Sequence, residues 1–170
     1  MSKCKEIRLM VGPPGVGKST YINKCIENLT KEKYATTVIS RDVIRQVLTG
    51  GATGNQYFSK ENKVFEEFVN TANLAIKSNI EVIFLDATHL NAGSRKKILS
   101  RLENIEDYTL IATIFKVPLD VALERNSHRT GFALVPEDAI KNMYKSFTIP
   151  TSAELKKYNF KNLEFVEIDT

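Results

Sequence analysis

Two hydrophobic periods alternate along the chain, one of about two residues and one of about 3.6. Glu6-Ile7-Arg8-Leu9-Met10-Val11 reads as a short strand, broken by the glycines and prolines of residues 12–17. The run from Lys18 to about Leu29 has helical character. Ala35–Ser40 is a second apolar, β-branched run, and Arg41–Leu48 follows as a helix with Ile44 and Leu48 on one face and Gly50-Gly51 ending it. Residues 50–58 are glycine-rich and polar, the pattern of a mobile connection. From Glu61 to Ile76, the positions Val64, Phe65, Phe68, Val69, Ala72 and Ile76 recur at helical spacing. Ile80–Leu85 is the most strand-like segment, and its unbroken apolar stretch fits a strand buried on both faces before Asp86. Asn91 or Ser94 starts a helix that turns Ile98, Leu99 and Leu102 inward. Tyr108–Val117 is a strand stopped by Pro118, Val121–Arg129 a charged helix, Pro136 the opening of another, and Leu163–Ile168 a last strand. Strands alternating with helices define an α/β fold, an open and mostly parallel sheet with helices on both faces.

Composition narrows the class without naming a reaction. The 170 residues, 42% hydrophobic and 26% charged, suit one domain over residues 1–170 with no linker or internal repeat. Cys4 and Cys25 make no disulfide framework and read as core thiols in a reducing compartment, which points to a cytoplasmic protein (the host cytoplasm if phage-encoded). No apolar run reaches the roughly 18–20 residues that cross a bilayer, and the N-terminus lacks a secretory pattern, so no membrane partner is expected. The 24 basic and 20 acidic residues give a net charge of +4, which permits a polyanionic partner without requiring one. Self-association stays open.

The chemistry begins at Gly12-Pro13-Pro14-Gly15-Val16-Gly17-Lys18-Ser19, which meets G-x-x-x-x-G-K-[ST] at every fixed position and is followed by Thr20. A strand enters it and a helix leaves it, as a phosphate-binding loop requires. The backbone of Gly12, Gly15, Val16 and Gly17 can curl until successive N–H groups face one anionic cavity, with the helix dipole behind them. Lys18 is expected to bridge the β and γ phosphates of ATP or another nucleoside triphosphate. Ser19 is expected to ligate Mg²⁺, and Thr20 to support the loop or the α phosphate. Asp86, ending a hydrophobic strand at its carboxyl end, is the candidate second magnesium residue.

A hydroxyl acceptor must also lose its proton. Asp42 and Arg45 stand three apart on the first turn of a helix, placing a general base beside a guanidinium that can hold an acceptor phosphate. Residues 119–136 read as a small helical lid. Arg125 and Arg129 are four apart on one predicted helical face and can close on the donor phosphates, so Arg129 joins Lys18 and Asp42 as a catalytic candidate. His89 either meets the acceptor or orders the loop after Asp86. Tyr57 and Phe58 are free to touch an acceptor, whereas Tyr21, Phe65, Phe68, Phe84 and Phe115 sit at core-like positions.

From Ile7 to about Phe147 the chain resembles the 5′-hydroxyl polynucleotide kinase domain found in phages, within the P-loop kinases. The resemblance rests on GPPGVGKST, SRDVIR, FLDATHLN, VPLDVALERNSHR and VPEDAIKNMYKS in that order. It implies Lys18 and Ser19 on the donor phosphates and Mg²⁺, and Asp42 as base for a 5′-hydroxyl. It also implies Arg45 on the acceptor's 3′-phosphate, Arg129 as the lid arginine and Arg125 in support. The substrate it implies is the 5′-hydroxyl end of DNA or RNA. The sequence departs from the family at Asp86-Ala87-Thr88-His89, where related enzymes carry DTN, and shows no D-x-D pair of a following phosphatase domain. A small-molecule kinase of the same fold and a non-catalytic nucleotide-binding regulator are the other readings.

Overall fold

The computed structural model describes residues 3–169. Its frame is a five-stranded, wholly parallel sheet of β1 (Lys5–Val11), β2 (Thr36–Ser40), β3 (Val82–Asp86), β4 (Tyr108–Lys116) and β5 (Asn162–Asp169), in spatial order β2-β3-β1-β4-β5. Ile7, Leu9 and Val11 of β1 alternate with Met10, so the strand feeds two cores at once. β3 does the same, with Ile83 and Leu85 on one face and Val82 and Phe84 on the other. Such a sheet needs a cover on each side. One face carries α3 (Glu61–Lys77) and α4 (Ala92–Leu99), which contribute Phe68, Val69, Ala72, Ile76, Ile98 and Leu99. The other carries α1 (Lys18–Lys31), through Ile22 and Leu29.

From β1 the chain runs to the outer strand β2 and returns through β3. It then crosses to β4 and β5 on the opposite side. The carboxyl end of β1 therefore lies at the topological switch point, where open α/β sheets hold ligands. The remaining elements of the described residues are α2 (Arg41–Thr49), α5 (Leu119–Ser127), α6 (Glu137–Ser146), the short α7 (Ser152–Leu155) and two 3₁₀ turns, over Gly54–Phe58 and Gly131–Ala133.

Several boundaries depart from the sequence expectation for local reasons. The two proposed starts of α4 are one device: Asn91 caps the helix and accepts from the Ser94 N–H, while Ser94 Oγ accepts from the Asn91 N–H. Helix α5 begins at Leu119, directly after Pro118, and ends at Ser127 with His128 as its cap, so Arg129 lies beyond the helix. The glycine-rich 50–58 segment is ordered at its end by the 3₁₀ turn, which buries Tyr57. Helix α7 had no periodic signal; Thr151 caps it, and the turn exists to deliver Leu155 and Glu154 to the interior.

Glu154 meets Arg95, a side chain with no solvent exposure at all. Arg95 donates from Nε and Nη2 to the two carboxylate oxygens of Glu154, at 2.7 and 2.8 Å, and from Nη1 to the carbonyls of His89 and Thr148. A buried guanidinium is tolerable only when its donors are met this fully. The network ties α4 and α7 to the loop that follows β3. Glu154→Ala, which strands the arginine charge, is expected to lower stability by about 3–5 kcal/mol in urea denaturation. A loss below about 1 kcal/mol would show that solvent reaches Arg95 freely.

Candidate active site

The loop between β1 and α1 is built by two backbone constraints. Gly15 and Gly17 both adopt left-handed conformations, with φ of 82° and 95°. A Cβ on Gly15 would also stand 2.7 Å from the carbonyl oxygen of Ala122 in α5, so a side chain is excluded twice. This contact seats the loop against the segment read as a lid. Gly12 is fixed from the other side, its N–H donating to the Thr88 carbonyl at 2.9 Å. Val16 is buried and can offer only its backbone, whereas Ser19 and Thr20 are exposed at the start of α1.

Lys18 folds back over the loop, its ammonium donating to the carbonyls of Gly12 and Pro13 at 2.7 and 2.8 Å. Burial lowers its pKa to about 8; Asp86 and Asp42 pull it upward and Arg129 adds to the depression. Residues from the loop, from β3, from α2 and from the lid thus act on one ammonium group. Burial raises the Asp86 pKa, with Lys18 opposing and Asp42 reinforcing the rise. Among the described residues Asp86 makes no ion pair. The half-buried Asp86 carboxylate, which forms no ion pair, and the exposed Ser19 hydroxyl at the start of α1 are hard oxygen donors of the kind that suits Mg²⁺. No group of three or more metal-binding side chains occurs among the described residues.

Beside the loop opens a cavity of about 360 Å³. Gly15, Gly17 and Thr20 form its floor, and Arg125 and Arg129 line it together although they do not share a helix. The cause is a loop closed by Asn126, whose buried side chain donates from Nδ2 to the Val135 carbonyl at 2.7 Å and accepts from the Val135 N–H at 3.0 Å. Asn126 therefore sets the path of residues 127–135, and Arg129 with it. No spacing in the sequence marks this asparagine. Tyr21 and Phe115 stand at core-like positions in the sequence. They do pack edge to face, with ring centres 5.6 Å apart, yet both line the cavity, as do Lys24 and Ile168. The spacing of Thr20 and Lys24, four apart on α1, was the available signal for Lys24.

On the other side of Lys18, Ser40 caps α2 by accepting from the Val43 N–H, leaving the Asp42 carboxylate exposed. Asp42 Oδ1 accepts from Arg45 Nη1 and lies 3.4 Å from the Tyr57 hydroxyl. Arg45 is buried, and a residue not foreseen holds it there. Glu61, at the start of α3, accepts from Arg45 Nε and Nη2 and also from Arg41 Nη2, the last at 3.2 Å. The rings of Tyr57 and Phe58 cover the Arg45 guanidinium at 5.3 and 5.2 Å. Burial resists the Glu61 negative charge, but the bonds and charges of Arg45 and Arg41 hold its pKa below the usual value. Two expectations change. Tyr57 is a packed support, also stacked on Phe132 with ring centres 6.0 Å apart, and only Phe58 stays free. Arg45 presents its two remaining N–H groups, not a free fork.

A family model described as an AAA domain, AAA_33, matches residues 7–150. The chain belongs to this family. The chain has a P-loop kinase-like α/β fold. It is 30% identical over 155 residues to a protein of Autographa californica nuclear polyhedrosis virus, provisionally named a bifunctional polynucleotide kinase/RNA ligase. That match takes in 84% of the chain but only 21% of the viral protein, so the chain spans about a fifth of this relative's length. Among solved structures, a chain of a Pnkp1/Rnl/Hen1 RNA repair complex superposes with a TM-score of 0.67 at 21% identity, over 95% of this chain and 48% of that one. A Janibacter sugar kinase superposes with a TM-score of 0.61 at 10% identity, over 97% and 85%. These identities establish the shared fold alone. No helix of the described residues is long and apolar enough to cross a membrane.

His89 takes the second of its two expected tasks. It is buried with a left-handed backbone, φ 44°, and its Nδ1–H donates to the Met10 carbonyl at 2.7 Å, ordering the loop beside Gly12. Burial pushes its pKa down to about 4, against the Met10 bond and with help from the charges of Lys18, Arg41 and Arg95. The folded state therefore binds this proton less readily than the unfolded chain. The stabilisation is complete above the ordinary histidine value of 6.5 and is lost as pH falls toward 4. Across that window the wild-type protein is expected to lose on the order of 2–3 kcal/mol more than His89→Gln, measured by urea denaturation at each pH. Parallel pH profiles would refute the buried neutral imidazole.

Proposed function

We propose that this kinase transfers the γ-phosphoryl group of ATP, or another nucleoside triphosphate, to the 5′-hydroxyl end of DNA or RNA. The observation that carries the reading is Asp42. It is an exposed carboxylate held in place by a buried arginine and close enough to Lys18 to raise that residue's pKa. A free phosphate acceptor needs no base, whereas an alcohol does. The similarity to a polynucleotide kinase/RNA ligase supports a nucleic-acid alcohol as acceptor.

In this mechanism the loop N–H groups and Lys18 hold the donor phosphates, with Arg129, and Arg125 in support, closing from the lid. Ser19 and Asp86 would hold Mg²⁺, which would supply charge neutralisation to the donor phosphates. Asp42 takes the proton of the 5′-hydroxyl as the new O–P bond forms and the bond to the leaving diphosphate breaks. Arg45 fixes the Asp42 carboxylate and directs its remaining N–H groups toward the acceptor's 3′-phosphate. His89 acts through the loop, away from the acceptor.

Incubation with γ-labelled ATP and a short 5′-hydroxyl oligonucleotide is expected to leave the label on the oligonucleotide. Label passing only to sugars, nucleosides or mononucleotides would make the protein a small-molecule kinase, and nucleotide binding with no transfer would make it a regulator. Asp42→Asn is expected to lower kcat by roughly 10²–10⁴ while nucleotide affinity stays unchanged in equilibrium titration. A change confined to KM would reduce Asp42 to a positioning group. Lys18→Ala is expected to abolish transfer and keep the melting temperature within a few degrees, since the ammonium bonds only loop carbonyls. Near-normal turnover would contradict the donor assignment.

A further inference from the structure

A second cavity, of about 460 Å³, lies outside the nucleotide cleft and is lined by Phe58, Ser59, Lys60, Glu61, Asn62 and Lys63. Two of these residues also belong to the acceptor side of the site. Glu61 grips Arg45, and the Phe58 ring covers the same guanidinium. The cavity is thus continuous with the position proposed for the acceptor's first phosphate.

Its lining has two uncommitted features. Phe58 is 54% exposed, a large ring left in solvent beside a charged network, while its neighbour Tyr57 is buried and braces it edge-on at 4.9 Å. Lys60 and Lys63 are exposed and form no ion pair among the described residues. They gain little from Glu61, whose carboxylate is already shared by Arg45 and Arg41. An accessible aromatic face beside two unmatched ammonium groups is the combination that holds single-stranded nucleic acid, with the base on the ring and the phosphate on the cations. A sugar or a free nucleoside would use neither lysine.

We propose that this cavity is a second-nucleotide subsite for a single-stranded acceptor, in which Phe58 stacks on the base and Lys60 and Lys63 hold the next phosphate. The proposal rests on the polynucleotide kinase reading and adds to it a reason for preferring a strand over a mononucleotide. The test compares two acceptors, a nucleoside 3′-phosphate and a short single-stranded 5′-hydroxyl oligonucleotide, in the wild-type chain and in the double variant Lys60→Gln/Lys63→Gln. The wild-type KM is expected to be roughly tenfold or more lower for the oligonucleotide. The lysine variant is expected to lose most of that advantage, and its log KM against log salt slope should fall by about 0.7 per lysine removed. Its kinetics with the nucleoside 3′-phosphate should match the wild type. Phe58→Leu should raise the oligonucleotide KM by roughly tenfold without altering the salt slope.

Equal KM values for the two acceptors in the wild type would overturn the subsite, as would a length advantage and salt slope that survive in the lysine variant. Both results leave the kinase reading standing. Label transfer to neither acceptor would overturn the kinase reading itself, and the subsite with it.

Discussion

Parallel strands all end at the same edge, and the rest of the molecule depends on that constraint. Because β1 is central, its carboxyl end has β3 on one side and β4 on the other. The phosphate loop leaves β1, Asp86 ends β3, Arg41 and Asp42 follow β2, and the lid follows β4. No separate device is needed to bring donor loop, carboxylates and arginines together. Once the apolar faces of β1 and β3 are buried, the charged residues beyond their ends have one edge to occupy.

That edge concentrates charge, and the fold handles it with two buried arginines. Arg95 is enclosed by Glu154 and backbone carbonyls and holds the loop of residues 87–91 from behind. Arg45 is enclosed by Glu61, Asp42 and two aromatic rings and holds the base candidate from the side. In both cases the guanidinium's fixed fork converts burial into orientation. Asp42 gains direction without losing exposure. Lys18 meets the opposite condition, being desolvated and bonded to neutral carbonyls in a space that negative phosphate would complete.

The segment after α5 shows how a small polar side chain can set the position of a large one. Asn126 closes residues 126–135 into a loop, and Gly131 turns it with a φ of 61°. Arg129 reaches the nucleotide cavity because of that closure and not because of helical spacing from Arg125. Phe132, on the same loop, stacks on Tyr57. That loop and the Asp42–Arg45 cluster are therefore in contact through Tyr57, which also reaches Asp42.

Strand and helix positions were legible from the chain because apolar spacing reports burial directly. The parallel α/β arrangement, the loop at Gly12–Ser19 and the positions of Asp42 and Asp86 at strand ends all follow from local pattern. Glu61, Asn126 and Arg95 carried no such pattern. Each is an ordinary polar residue until another element arrives: Glu61 is 16 positions from Arg45, and Glu154 is 59 from Arg95. The same holds for Tyr21 and Phe115, since a periodic aromatic reads as core whether or not one face lines a cavity, and for Tyr57, whose place in a glycine-rich segment gave no sign of its burial. By itself, then, the sequence determined which segments bury and which turn can cradle phosphate, because both depend on neighbours within a few residues. Only the tertiary structure decided which charges meet, because pairing across the fold depends on how the packed elements bring distant side chains within bonding distance.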